Sequence, residues 1–218
     1  MSCGGRVPRL LMRLLDVSLS LIVLLLLAPL MVLLALVIKC NSRGPVFHRA
    51  QRVGKDGRLF ALYKFRTMFV DGGTGPRITR SGDPRVTRAG RFLRRTKLDE
   101  LPQLFNTLRG EMSLVGPRPE DPDYVRSYSA HQRGVLRVKP GITSPATVLH
   151  RNEEQMLTGP NWEETYRKEI LPAKLQIELD YLARRTLAQD LLILAQTACA
   201  LFRKPEPSNP NRGSQCQT

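Results

Sequence analysis

The sequence predicts a mainly α protein with one small β-hairpin, built in two parts. An N-terminal re-entrant helical hairpin enters a membrane, and a compact cytoplasmic domain follows with amphipathic helices at the interface. Three observations predict this. Val17 to Ile38 is a run of 22 residues without a charge. Lys55-Asp56-Gly57 separates two runs rich in β-formers, and Asp-Gly in that position is a hairpin signal. Leu98, Leu101, Leu104, Phe105 and Leu108 recur at helical spacing, as do Leu187, Leu191, Leu194, Leu201 and Phe202.

The apolar run would be about 33 Å long as a helix, enough to cross a bilayer core at roughly 1.5 Å per residue. It exceeds a signal-peptide core, and Lys39-Cys40-Asn41 is no cleavage site. Pro29 cannot donate to the Leu25 carbonyl and disfavours a helical Ala28, so a break is expected at Ala28-Pro29. Both flanks are basic: Arg6, Arg9 and Arg13 before, Lys39, Arg43, Arg49 and Arg52 after. The positive-inside rule then keeps both ends in the cytoplasm. A hairpin entering and leaving by one face satisfies both constraints. An ordinary kinked crossing helix stays open beside it. The expected division is 1–40 in the membrane, 41–204 catalytic, and 205–218 a polar, disordered tail.

The soluble elements follow in order. Strands are expected over Pro45 to Val53 and Arg58 to Phe65. Asp71-Gly72-Gly73-Thr74-Gly75-Pro76 reads as a loop. Thr87 to Arg95 reads as a short basic helix, and a second helix starts near Leu98 or Asp99, with Pro102 in its first turn and Gly110 at its end. Met112 to Val115 is a short apolar run leading into Gly116-Pro117-Arg118-Pro119, where two prolines fix the direction of Arg118. Glu120 to Leu136 is expected to be helical, and Val138 to Thr143 to turn. Two helices close the chain, from about Trp162 to Arg184, kinked or split at Pro172, and from about Leu187 to Phe202.

Lys and Arg number 34 against 19 Asp and Glu, a formal charge of +15. Such an excess implies an anionic partner. Aromatic residues make up only 6%, which disfavours stacking on single-stranded nucleic acid. Cys3, Cys40, Cys199 and Cys216 have no C-x-x-C spacing, and His48, His131 and His150 are isolated. Neither a disulfide framework nor a zinc site is expected.

The chemistry centres on Leu98-Asp99-Glu100-Leu101-Pro102. Two adjacent carboxylates at the start of a helix lie among Arg85, Arg88, Arg91, Arg94 and Arg95, with Arg109 and Arg118 beyond. Glu100 can offer an oxygen to Mg²⁺, which takes one or two carboxylates plus substrate phosphates. Asp99 can attack phosphorus, and an ordinary aspartate is ionised at neutral pH. Arg94 and Arg118 can grip phosphates bidentately. A helix cap held by salt bridges remains the plainer reading of the same residues.

The chain resembles the bacterial sugar transferases, the monotopic polyprenyl-phosphate phosphoglycosyl transferases. The resemblance rests on motifs in order: the apolar segment with its central Pro29, Gly44-Pro45-Val46-Phe47, Lys64-Phe65-Arg66-Thr67-Met68 and Asp83-Pro84-Arg85-Val86-Thr87-Arg88. It continues through Gly90-Arg91-Phe92-Leu93-Arg94, Leu98 to Asn106, Met112 to Pro119, and Lys139-Pro140-Gly141-Ile142-Thr143. It implies that Asp99 attacks a UDP-sugar and releases UMP, and that undecaprenyl phosphate then takes the sugar phosphate from Asp99. It implies Glu100 as the Mg²⁺-associated residue. Lys64, Arg66, Arg85, Arg88, Arg94 and Arg118 are the expected substrate-binding cations. The site would face the cytoplasm at the bacterial inner membrane. A homodimer is compatible with this reading, and nucleic acid is not an expected partner. The sequence departs from the family after Thr143, with Ser144-Pro145-Ala146-Thr147 in place of the usual Gly and Ala-Gln. The competing reading is a membrane-anchored basic binding protein for anionic lipid or nucleic acid, without catalysis.

Overall fold

The computed structural model describes residues 9–70, 79, 82–151, 157 and 161–202. The loop expected at 71–76 and the tail at 205–218 lie outside the described residues. The fold is mainly helical with two small sheets.

Helix α1 spans Arg9–Asn41 and carries Pro29 inside it. It runs as one helix through Ala28 and Pro29; the two-armed hairpin expected there is not drawn as two helices. A single missing N–H breaks one bond of the ladder without ending it when packing supports both sides. That packing is visible. Asp16, Ser20, Leu24, Leu34 and Ile38 are buried, a stripe along one face at helical spacing. The opposite face exposes Leu14, Leu21, Leu25, Leu36 and other aliphatic side chains. The helix is long and apolar enough to cross a membrane.

Strands β1 (Phe47–Val53) and β2 (Leu59–Phe65) form an antiparallel hairpin with Val53 opposite Leu59. The turn between them uses the expected Asp56-Gly57, both at positive φ (56° and 77°). Helix α2 is Arg88–Thr96, and the Thr87 hydroxyl accepts from the Gly90 N–H at its start. A Cβ on Gly90 would stand 2.0 Å from the Thr67 carbonyl oxygen, so only glycine lets α2 lie against the chain leaving β2.

The next helix starts later than expected. Leu98–Glu100 is a 3₁₀ turn, and α3 runs Gln103–Arg109. Pro102 has no N–H for the Leu98 carbonyl, so Leu101 N–H takes that carbonyl instead, at 3.3 Å. Gly110, at φ 84°, ends α3 as predicted.

Two short segments read as an apolar run and a turn are in fact paired. Strands β3 (Ser113–Val115) and β4 (Gly141–Thr143) lie parallel. The helix expected over Glu120 to Leu136 is also corrected. Only α4 (Pro122–Val125) and a 3₁₀ stretch (Gln132–Arg137) form. The interruption is made by Ser129 and Gln132, which bond each other's main-chain N–H through their side chains, a reciprocal cap that starts a new turn.

Helix α5 is Pro145–Leu149, capped by the Ser144 hydroxyl. Helix α6 (Trp162–Thr165) passes through a π-helical turn (Tyr166–Ile170) into α7, Leu171–Arg184. Pro172 sits at the first turn of α7, so the irregularity predicted there takes the form of a π turn just before it. Helix α8 occupies Leu187–Phe202, as expected.

Three apolar clusters hold these elements. One gathers Tyr124, Trp162, Tyr166 and Leu171. The second joins Leu24 to Leu104, Leu114, Tyr181 and Ile193. The third joins Leu34 and Ile38 to Phe65 and Leu93. Both halves of α1 therefore pack on the elements that follow it.

Candidate active site

Asp99 and Glu100 sit in the 3₁₀ turn between α2 and α3, facing β2 and the segment after β3. Asp99 is buried, 6% exposed, and its Oδ1 has no hydrogen-bond partner. Glu100 is held on both oxygens. Lys64 Nζ donates to Oε1 at 3.0 Å, and Arg118 Nη2 donates to the same oxygen at 2.6 Å. Arg118 Nη1 donates to Oε2 at 3.3 Å. The two prolines around Arg118 restrict its backbone, which fits this fork-on-carboxylate contact.

The environment pushes the two acids apart. Burial raises Asp99 above the ordinary carboxylate range; Lys64, Lys97 and Arg94 oppose that, while the neighbouring Glu100 charge adds to it. This corrects the expectation of an ordinary aspartate. Burial works against ionised Glu100 too, but the Arg118 and Lys64 charges outweigh it and hold Glu100 well below its usual value. One carboxylate is thus pinned as an anion while the other is kept bare and basic.

The pair lines a cleft of about 720 Å³. Of the cations expected there, Lys64, Arg66, Arg94 and Arg118 line it as well. Arg94 Nε donates to Thr67 Oγ1 at 2.9 Å. Arg66 is buried. Its Nη2 donates to the Ser42 carbonyl and hydroxyl at the end of α1 (2.6 and 2.9 Å), whereas Nε and Nη1 have no partner.

Arg85 and Arg88 are not brought into the lining. Arg85 turns back to Asp83, at 2.6 Å, and Arg88 is exposed at the first turn of α2. His48, Arg52, Lys97, Glu120, Tyr166 and Lys174 line the cleft without having been singled out as site residues. His48 is lowered by burial and then by Arg52, Lys64 and Arg94. One signal for Lys174 was present in the sequence. Leu171, Lys174, Leu175 and Glu178 share a helix face that is otherwise apolar, and charges in such a stripe imply buried partners.

The segment that departs from the family also borders the cleft. Thr147 lines it, next to Thr143 of the matching motif. Ser144 donates to Glu178 Oε1 in a short hydrogen bond of 2.5 Å, and burial raises Glu178 to about 7.

A bare aspartate and a fixed glutamate lie in a cleft lined by Lys64, Arg94 and Arg118 and walled in part by Val23 of a helix long and apolar enough to cross a membrane, a chemistry suited to anionic groups. The chain belongs to the bacterial sugar transferase family, whose profile matches residues 7–204. It is 40% identical over 194 residues to a Komagataeibacter xylinus protein named undecaprenyl-phosphate glucose phosphotransferase, covering 84% of this chain and 34% of that protein. It is 38% identical over 208 residues to a UDP-glucose:undecaprenyl-phosphate glucose-1-phosphate transferase of Caulobacter vibrioides, covering 91% and 74%. It is 35% identical over 215 residues to an undecaprenyl-phosphate galactose phosphotransferase of Salmonella typhimurium, covering 91% and 42%. The chain spans only about a third to two-fifths of the length of the first relatives it matches.

Proposed function

We propose that this protein transfers a sugar-1-phosphate from a UDP-sugar to undecaprenyl phosphate and releases UMP. The observation that carries the reading is the contrast between the two acids: Asp99 Oδ1 is unpartnered while Glu100 is held by Lys64 and Arg118. The names of the relatives, which include both glucose and galactose phosphotransferases, support the substrate class.

In the first step Asp99 attacks the sugar-linked phosphorus. The bond from that phosphorus to the bridging oxygen breaks, and UMP leaves with the electron pair. In the second step a phosphate oxygen of the polyprenyl acceptor attacks the same phosphorus. Its bond to Asp99 breaks, which frees the carboxylate and leaves a diphosphate-linked sugar. Lys64, Arg94 and Arg118 neutralise the phosphates and orient them for in-line displacement.

Mg²⁺ belongs to the proposal. Glu100 offers hard carboxylate oxygens that Lys64 and Arg118 already hold, so Mg²⁺ would share them with those cations or displace one. No group of three His, Cys, Asp or Glu forms a metal cluster among the described residues, so Glu100 and the substrate phosphates would supply the ligands. When bound, the ion would spread the charge of the departing UMP.

The membrane placement is also proposed: a re-entrant α1, with the domain at the cytoplasmic face of the bacterial inner membrane. Contacts at both ends of α1 support it. Near the start, Asp16 accepts from the Ser113 hydroxyl and the Leu114 N–H, and Arg13 donates to the Thr107 and Leu108 carbonyls. Near the end, Ile38 packs with Phe65 and Leu93. Two ends of α1 held by one body are the support for setting both on the same side of the membrane; Leu24, in the middle, packs on that body too.

The test is UMP release from UDP-sugars with polyprenyl phosphate in membranes. Parent protein should release UMP and become labelled with phosphosugar. Asp99→Asn should do neither; lipid-linked sugar formed by Asp99→Asn at the parent rate would overturn the nucleophile assignment.

A further inference from the structure

Resting on that function, we propose that Glu120, Tyr166 and Lys174 read the hydroxyls of the donor hexose and decide which sugar is transferred. All three line the cleft that holds Asp99 and Glu100. Tyr166 Oη donates to Glu120 Oε1 at 2.9 Å. Lys174 Nζ stands 3.5 Å from that oxygen and 3.4 Å from Tyr166 Oη.

Position is the first argument. Glu120 lies two residues beyond Arg118, whose guanidinium grips Glu100, and two residues span at most about 7 Å. In a nucleotide sugar, the hexose is bonded directly to the phosphate that Asp99 attacks. The nucleoside is one phosphate further away. The group brought beside the dyad and beyond the phosphates is therefore the hexose.

Chemistry is the second. Around Asp99 the cleft is cationic, through Lys64, Arg94 and Lys97. The Glu120–Lys174 pair sets a carboxylate beside an ammonium. With the phenol it offers donors and acceptors, which suits a neutral ring of hydroxyls rather than a phosphate.

Rigidity is the third. Tyr166 is 1% exposed and Lys174 5%. The Tyr166 ring packs edge-on against Tyr124, with centroids 5.3 Å apart. The π turn Tyr166–Ile170 has a consequence here. Residues eight apart on a regular α-helix differ by about 80° in direction, at 3.6 residues per turn. The extra residue of a π turn brings such a pair back towards one face. It lets Tyr166 and Lys174 meet on Glu120. Groups held this firmly cannot turn to suit a second epimer, so a hexose presenting the wrong hydroxyl forfeits its hydrogen bonds to them.

The experiment measures kcat/KM of parent, Glu120→Gln and Tyr166→Phe with UDP-glucose, UDP-galactose and dTDP-glucose, from release of the nucleoside monophosphate. The parent should prefer one C4 epimer, and each variant should shrink that epimer ratio tenfold or more. The uridine-to-thymidine ratio should stay within about twofold. Tyr166→Phe keeps the ring against Tyr124, so it serves if Glu120→Gln fails to fold. A merely structural role would lower both epimers equally and leave their ratio unchanged, which overturns the proposal. So would a change in the nucleotide ratio alone, or a parent indifferent to the epimers. A parent that releases no UMP with these donors or with UDP-N-acetylglucosamine and UDP-N-acetylgalactosamine overturns the function itself, and the sugar reading with it.

Discussion

Asp99 is made useful by what it lacks. Its Oδ1 has no donor, and burial holds its proton more tightly than water would. The attack proposed for Asp99 needs the ionised form, so on that proposal UMP release should fall as pH drops through a value above the ordinary aspartate range. Lys64 opposes that rise. Lys64→Met should therefore move the acidic limb of kcat/KM to higher pH, besides slowing turnover; a limb that stayed put would show that another group sets it. Glu178 carries a stability prediction. Burial raises it to about 7 in the folded chain, whereas an unfolded glutamate titrates near 4.3. Between those values the folded state holds the proton that the unfolded state has lost, so stability declines as pH rises across that window and then levels off. The loss is on the order of 4 kcal/mol. Glu178→Gln should flatten this slope when Tm is measured from pH 4.5 to 8.

At the scale of elements, two contacts decide how the helices seat. Gly90 gives α2 its approach to the Thr67 carbonyl. Gly90→Ala improves helix propensity by about 1 kcal/mol, yet the added methyl has no room. A net loss of about 1–3 kcal/mol is expected, read as a lower Tm in detergent. Asp16 satisfies the Ser113 hydroxyl and the Leu114 N–H from within an otherwise apolar helix. Asp16→Ala leaves those groups buried without a partner and should cost about 1–3 kcal/mol. An unchanged Tm would mean that α1 does not depend on this anchor. The elements also show where the sequence was readable. The Asp56-Gly57 turn, the Gly110 stop and α8 follow from local chemistry and appeared where expected. The pairing of β3 with β4 did not, because parallel partners 28 residues apart (Ser113 with Gly141) leave no local signal.

Over the whole molecule, charge and apolar surface are sorted to different places. Cations gather in the cleft, and the aliphatic face of α1 points away from the domain. The ends of α1 grip one body, so cysteines placed near residues 10 and 41 should both react with a membrane-impermeant thiol reagent from the cytoplasmic side only. Labelling from opposite sides would establish a crossing helix instead.

The sequence by itself determined the family, the apolar helix with its basic flanks and the acid pair. Each of these is written in contiguous residues, where spacing and composition suffice. Only the tertiary structure decided that Arg118 and Lys64 hold Glu100, and that Glu120, Tyr166 and Lys174 meet in one cleft. Those choices depend on which distant side chains share a buried space, and burial is what turns a charge into either a partner or a reagent.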